Sequence, residues 1–437
     1  MKIGILTFHC AHNYGAVLQA YGLQEYLKSR GHAVEMIDYR PRYLTRGYAA
    51  FPLPELRGAS FSRKLWRLGS WGVRLPWRVA AVPVRVRRRA GFEKFISEKL
   101  NLSRERFGEG GRVPAERFDA LVFGSDQIWS PNHTRGGDPV FLGDFDAPAG
   151  TRKIAYAASA GGASATLGEN PVFADALKNF DAISVREDNL AASLRARSAK
   201  PIETVLDPTL LADRTVWDAL AETPKTGGKK YVLVYQVSYN AAADAVARGI
   251  AEQIGAEVVS LWAGYARTPD MLPTETPEQF VGWFRDAACV VSTSFHGTAF
   301  GLIFEKPLYY VGDGNAAENR PRQILRALGL EGRYVRAGTP CPKFSEINYA
   351  ALSETGGGYR GASRAFPRLP RARVGVNGFR TEKRKARRAL SPGGLFCVFR
   401  GSDFPVALRE PLSRKFLLEG FRQATGMSLP RKFRTLF

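Results

Sequence analysis

The chain has 437 residues, 45% apolar and 11% aromatic, which excludes wholesale disorder and suits about two or three domains. No apolar run approaches the ~18 residues of a membrane helix, and the opening MKIGILTFHCAHNYG reads as a first strand, not a signal peptide. The four cysteines (Cys10, Cys289, Cys341, Cys397) form no CxxC pair, so a reduced, cytoplasmic setting is expected, with neither a disulfide framework nor a zinc site. The net charge of +22 taken alone would suggest nucleic acid, but it is unevenly spread. Residues 356–437 carry 19 basic and 4 acidic side chains, residues 40–90 carry 13 and 1, and the remainder has a net charge of −5. The body is mildly acidic, and no nucleic-acid partner is expected.

In chain order, KIGILTF is a strand. Asn13 and Gly15 then open a helix with Val17, Leu18, Tyr21, Leu23, Tyr26 and Leu27 on one broad face, and AVEMIDY follows Gly31 as a second strand. Segment 40–90 breaks this rhythm. It sets Trp66, Trp71 and Trp77 among Arg63, Lys64, Arg67, Arg74, Arg78, Arg85 and Arg87 to Arg89. That composition suits either an interfacial element on an anionic membrane or a helical excursion packed on its own domain, with Pro76 and Pro83 interrupting any long helix. The alternation resumes with FDALVFG, KIAYAAS, DAISV, ETVLD, YVLVYQV, AEVVSLW, ACVVSTS and PLYYV. Helix-like stretches fall at 213–221, 240–254, 277–286 and 320–328. This predicts an α/β protein of two Rossmann-like domains, 1–200 and 201–345, followed over 346–437 by a closing helix and a basic, irregular tail.

Three strand ends carry candidate chemistry. In VVSTSFHGTAFG, residues 290–301, Ser294, His296, Gly297 and Thr298 occupy a strand-to-helix turn, where a histidine either binds an anion and acts as an acid or simply caps the helix or packs in the core. In DAISVREDN, Arg186 ends a strand and suits a phosphate, a carboxylate or an ordinary salt bridge. In LVFGSDQIW, Ser125 and Asp126 either cap a helix or present a base to a sugar hydroxyl, with Trp129 placed to stack on a sugar face. Asn13 and Gly15 occupy a comparable turn. His9, Cys10 and His12 look metal-like, but no carboxylate accompanies them in the sequence, and no metal is expected. No GxGxxG follows the first strand, and P-loop, HExxH and GxSxG signatures are missing.

GILTFHCAHNYGAVLQAYGLQEYL, GSDQIW, ISVRED, VLDPTLL and STSFHGTAFG occur in the order seen in the polysaccharide pyruvyl transferase family, which the chain resembles over about residues 1–345. The resemblance implies a GT-B-like fold with two Rossmann-like domains facing a cleft. It also implies transfer of a pyruvyl group from phosphoenolpyruvate to a saccharide or lipid-linked saccharide of the cell envelope, giving a ketal. On that reading Arg186 and His296 hold the phosphoenolpyruvate; the chemistry of the reaction in turn casts Asp126 as the acceptor base and calls for no cofactor. A cytoplasmic enzyme is expected, and segment 40–90, on the interfacial reading of its composition, would give it a peripheral contact with the anionic inner face of the cell membrane. Some members carry a basic residue two places before the histidine, where this chain has Ser294. The alternative is a GT-B glycosyltransferase using a nucleotide sugar.

Overall fold

Twelve strands form two fully parallel sheets in the structure, a computed structural model that describes residues 1–51, 60–73, 75–262, 274–314 and 318–354. The first sheet contains β1 (Lys2–Leu6), β2 (Ala33–Tyr39), β3 (Leu102–Phe107), β4 (Ala120–Phe123), β5 (Arg152–Ala158), β6 (Ala182–Val185) and β7 (Ile202–Thr204), in the order 3-2-1-4-5-6-7. The second contains β8 (Tyr231–Gln236), β9 (Glu257–Trp262), β10 (Cys289–Ser292), β11 (Leu308–Gly312) and β12 (Tyr334–Arg336), in the order 12-11-10-8-9. This is the expected two-part α/β architecture. The first sheet runs on to Thr204, past the expected boundary at residue 200. From residue 355 onward the expected tail lies outside the described residues, as does Arg74.

The crossover helices follow from caps and apolar faces. In α1 (Tyr14–Ser29), the Asn13 side chain accepts the Ala16 N–H at 3.3 Å, satisfying a donor that the first turn leaves open. Within segment 40–99 the described residues form the helices α2 (Arg42–Thr45), α3 (Phe61–Val73), α4 (Leu75–Ala80) and α5 (Val82–Lys99). Pro76 and Pro83 both sit in first turns, where the missing N–H costs nothing. The other crossovers are α6 (Pro171–Ala176), α7 (Asp188–Arg195), α8 (Arg214–Leu220), α9 (Ala241–Ile254), α10 (Pro277–Asp286), α11 (Phe295–Ile303) and α12 (Asn319–Ala327). The expected closing helix is α13 (Tyr349–Glu354), tied to the body by Tyr349 Oη donating to the Lys306 carbonyl at 2.8 Å.

One apolar core runs through both halves. It joins Ile3 and Ile5 of β1, Tyr14, Leu18 and Leu23 of α1, and Trp217 of α8 to Leu233 and Tyr235 of β8, Phe280 of α10 and Phe300 of α11. Tyr14 stacks on Phe280 with ring centroids 4.3 Å apart, and its hydroxyl donates to the Glu275 carbonyl at 2.7 Å. This packing brings the carboxyl ends of β1, β4, β6 and β7 close to those of β8 and β10. In both sheets the strand order reverses at such ends, where open α/β sheets bind ligands.

Candidate active site

Asp207 sits just beyond β7 at the middle of this junction and is fully buried. One of its carboxylate oxygens accepts from the Thr209 N–H at 3.0 Å and the Thr209 hydroxyl at 2.8 Å. The other accepts from Arg186 Nη1 at 2.5 Å and Ser125 Oγ at 3.2 Å, and lies 3.8 Å from His296 Nε2. Burial favours the neutral acid, but Arg186 and His296 outweigh it and hold Asp207 down at about 2. Arg186 extends from the end of β6, with its side chain 2% exposed. Burial alone would lower its pKa, yet Asp207, Glu187 and Asp126 together raise it.

Around this pair lie further charges. Asp126 is 3.8 Å from Arg186 Nη2, Glu187 is 3.8 Å from Arg186 Nε, and Arg320 Nε is 3.3 Å from Glu187. The guanidinium groups of Arg186 and Arg320 both face the Phe295 ring, 5.4 and 5.5 Å from its centroid. Burial and the nearby Arg186 pull Arg320 below its ordinary value. His296, in the first turn of α11, is brought down to about 4, chiefly by burial, with Asp207 opposing and Arg186 assisting. Arg186 Nε and Nη2, His296 Nε2 and Glu187 Oε2 are buried polar atoms with no hydrogen-bond partner among the described residues. Unsatisfied buried donors are costly, and in a cleft they point to a ligand that would accept from them. Nor does any side chain cap the N-terminus of α11.

The other expected residues have clear placements. A Cβ on Gly15 would lie 2.2 Å from His296 Nδ1, so the glycine lets α1 touch the imidazole from the opposite sheet. Gly297 likewise lets α11 pass Ser292, whose Oγ would be 2.0 Å from an added Cβ. Asn13 caps α1. Ser125 is buried, and its hydroxyl donates to the Ala157 carbonyl at 3.0 Å as well as to Asp207. Asp126 has a left-handed backbone with φ of 69° and sits at the edge of the cluster. Ser294 lines the turn beside Tyr235. The Thr298 hydroxyl turns back onto the Ser294 carbonyl at 3.2 Å.

Two expectations are corrected. Trp129 presents no face to a sugar: it is buried against Phe180, and its Nε1 donates to the Phe141 carbonyl at 3.2 Å. His9 and His12 do have carboxylate partners, brought by folding. His9 Nε2 meets Asp38 at 2.9 Å, and His12 Nε2 meets Glu93 at 3.1 Å. Arg40 joins the two carboxylates, at 2.6 Å to Asp38 and 2.9 Å to Glu93, so this cluster is an ion-pair network. Among the described residues no three His, Cys, Asp or Glu side chains converge as metal ligands.

Sequence reasoning assigned no role to Asp207, Arg320 or Phe295. The VLDP run was a signal for the first, because an aspartate ending a strand before proline needs partners for its carboxylate. No local signal marks Arg320. A cavity of about 350 Å³ also opens nearby, lined by His12, Tyr48, Arg85, Arg88, Arg89 and Tyr235 among others.

Residues 13–315 match the family model described as Polysaccharide pyruvyl transferase. No curated protein matches the chain. Among solved structures, the chain is similar to UDP-GlcNAc 2-epimerase from Neisseria meningitidis bound to UDP-GlcNAc (8% identity, TM-score 0.41, covering 84% of this chain and 90% of that one). It is similar to the E. coli heptosyltransferase WaaC with ADP (11% identity, TM-score 0.33, 81% and 98%). A third is UDP-GlcNAc 2-epimerase from Methanocaldococcus jannaschii (9% identity, TM-score 0.39, 77% and 89%).

Proposed function

Because the chain belongs to the polysaccharide pyruvyl transferase family, we propose that it transfers a pyruvyl group from phosphoenolpyruvate to a saccharide acceptor and closes a pyruvate ketal. The observation that carries this reading is the set of unpartnered donors of Arg186 and His296, buried together where the two sheets meet. Phosphoenolpyruvate has a phosphate and a carboxylate, and each needs fixed donors in a site sheltered from water. Arg186 Nε and Nη2 supply a planar fork, His296 Nε2 a further donor, and the uncapped start of α11 backbone N–H groups.

The reaction needs one proton delivered and others removed. Protonation of the methylene carbon places positive character on the adjacent carbon. An acceptor hydroxyl adds there and gives up its proton, and the bond to phosphate breaks as inorganic phosphate leaves. A second hydroxyl then adds to the same carbon, gives up its proton and closes the ring. In this reading Asp126, at the rim of the charged cluster, takes a hydroxyl proton. His296 is neutral at pH 7 in the field of the protein's own groups, so it binds first as a hydrogen-bond donor. It becomes an acid only when the donor's negative charge raises its pKa.

Thermal shift and calorimetry with phosphoenolpyruvate, set against nucleoside diphosphates and nucleotide sugars, test the reading. The expected result is stabilisation by phosphoenolpyruvate, and release of inorganic phosphate when a suitable saccharide is added. Binding of nucleotide sugars with no response to phosphoenolpyruvate would replace the reading with glycosyl transfer.

A further inference from the structure

A surface helix of a water-soluble domain ordinarily buries its apolar stripe and shows a polar face to solvent. Helix α3 does the reverse. At about 100° per residue, Phe61, Leu65 and Leu68 share one face, Trp66 and Val73 flank it, and Arg63, Arg67, Ser70 and Trp71 lie opposite. The apolar face is the one in water: Phe61 is 80% exposed, Leu65 64%, Trp66 73% and Val73 80%. The half-buried positions are Arg67, Ser70 and Trp71 on the other side. Trp71 anchors that inner side, edge-on to Phe51 at 5.6 Å and with Arg78 over its ring at 5.9 Å. Leu75 and Val79 of α4 and Val86 of α5 are exposed apolar side chains too. Lys64 on α3 and Arg87 and Arg89 on α5 are exposed as well, within a segment carrying 13 basic residues and 1 acidic.

We propose that α3 docks this apolar face into an anionic lipid surface. An exposed apolar helix face within a basic segment is the arrangement by which an interfacial helix inserts among acyl chains while its cations meet lipid phosphates. A second copy of the chain would cover the apolar face but set two basic segments against each other, whereas an anionic surface satisfies both features. Helix α5, which follows α3 and α4 in the same basic segment, lines the cavity near the candidate site with Arg85, Arg88 and Arg89.

The full-length protein should bind vesicles of phosphatidylcholine with phosphatidylglycerol and ignore vesicles of phosphatidylcholine alone. Because residues 356–437 carry 19 basic and 4 acidic side chains, they too would adhere to anionic vesicles. The comparison is therefore made at raised salt, which screens purely electrostatic binding. There a Phe61→Ser/Leu65→Ser/Trp66→Ser variant that melts like wild type should lose about tenfold or more in vesicle partitioning. As a second measurement, wild-type tryptophan emission should shift to the blue on anionic vesicles, and Trp66→Phe should remove most of that shift while binding persists. Equal partitioning of wild type and triple variant would overturn the proposal. So would a concentration-dependent dimer that the triple variant abolishes, in a protein that does not bind vesicles.

Discussion

His296 and its unfolded counterpart titrate in different ranges, about 4 in the folded protein against the ordinary 6.5, because burial disfavours the imidazolium. Between those values the unfolded chain holds the extra proton, so the His296 contribution to stability should be lost as pH drops from about 6.5 to about 4, below which the depressed carboxylates Asp207 and Glu93 continue the decline. The loss is on the order of 3 kcal/mol. Asp207, held near 2, titrates below that window. Urea unfolding across the range should show the slope, and His296→Gln should flatten it; an unchanged slope in the variant would assign the effect elsewhere. A phosphate dianion beside Nε2 should pull a proton onto the same ring. Phosphoenolpyruvate binding near neutral pH should therefore release a heat that varies with the buffer's ionisation enthalpy, and lose that dependence in His296→Gln. Gly15 gives a second test of the imidazole's position. Gly15→Ala puts a methyl carbon 2.2 Å from Nδ1, so it should cost about 1–3 kcal/mol of stability and weaken donor binding. In a His296→Ala background the same change should cost distinctly less, because the clash is gone. At this scale the sequence was legible in the turns that follow strands, where Arg186 and His296 lie. Arg320 was not legible, because a buried arginine on a helix looks like any surface cation until the fold sets it beside Glu187. Trp129 misled for the opposite reason: proximity to a strand end says nothing about which way a large ring points.

Strands β6 and β10 lie in different sheets, so a ligand held by Arg186 and His296 would couple the two. Each charge-assisted contact to one phosphate should be worth about 1.5–3 kcal/mol. Arg186→Lys keeps the charge but loses the fork, and should weaken phosphoenolpyruvate measurably. It would also disturb the single Nη1 contact to Asp207, so its melting temperature needs to be followed alongside. His296→Ala should weaken the donor too, and the double variant should fall short of the sum. Strict additivity in calorimetric affinities would separate the two residues functionally. The buried strands of both sheets read clearly from the sequence, since apolar runs such as YVLVYQ and CVVS leave little choice. Two elements did not. β3 is LSRERF, an edge strand whose charged side chains face water and keep its open edge from pairing with other chains. β12 has only three residues, Tyr334–Arg336, too few for any period to register.

Across the whole molecule, the two sheets share the core that passes from β1 through α1 and α8 to β8, α10 and α11. The stacked pair Tyr14 and Phe280 is one of its joints. A protein whose halves were separate would melt in steps, whereas this packing predicts that the described α/β body unfolds in one transition, with calorimetric and van't Hoff enthalpies in agreement. Two resolved heat peaks from that body would contradict it. Number and order of the strands revealed the two-sheet plan from sequence. The joint between the sheets was hidden, because Tyr14 and Phe280 are each ordinary helix-face residues and only the fold makes them neighbours. The same joint decides what becomes of the molecule if its chain is cut in the largely exposed loop 223–230, between the two sheets. Each fragment alone would bare the surface it normally lends to the other and should precipitate or stay unfolded. Co-expressed from two genes, the fragments should find each other and rebuild one soluble enzyme without any covalent link between its halves.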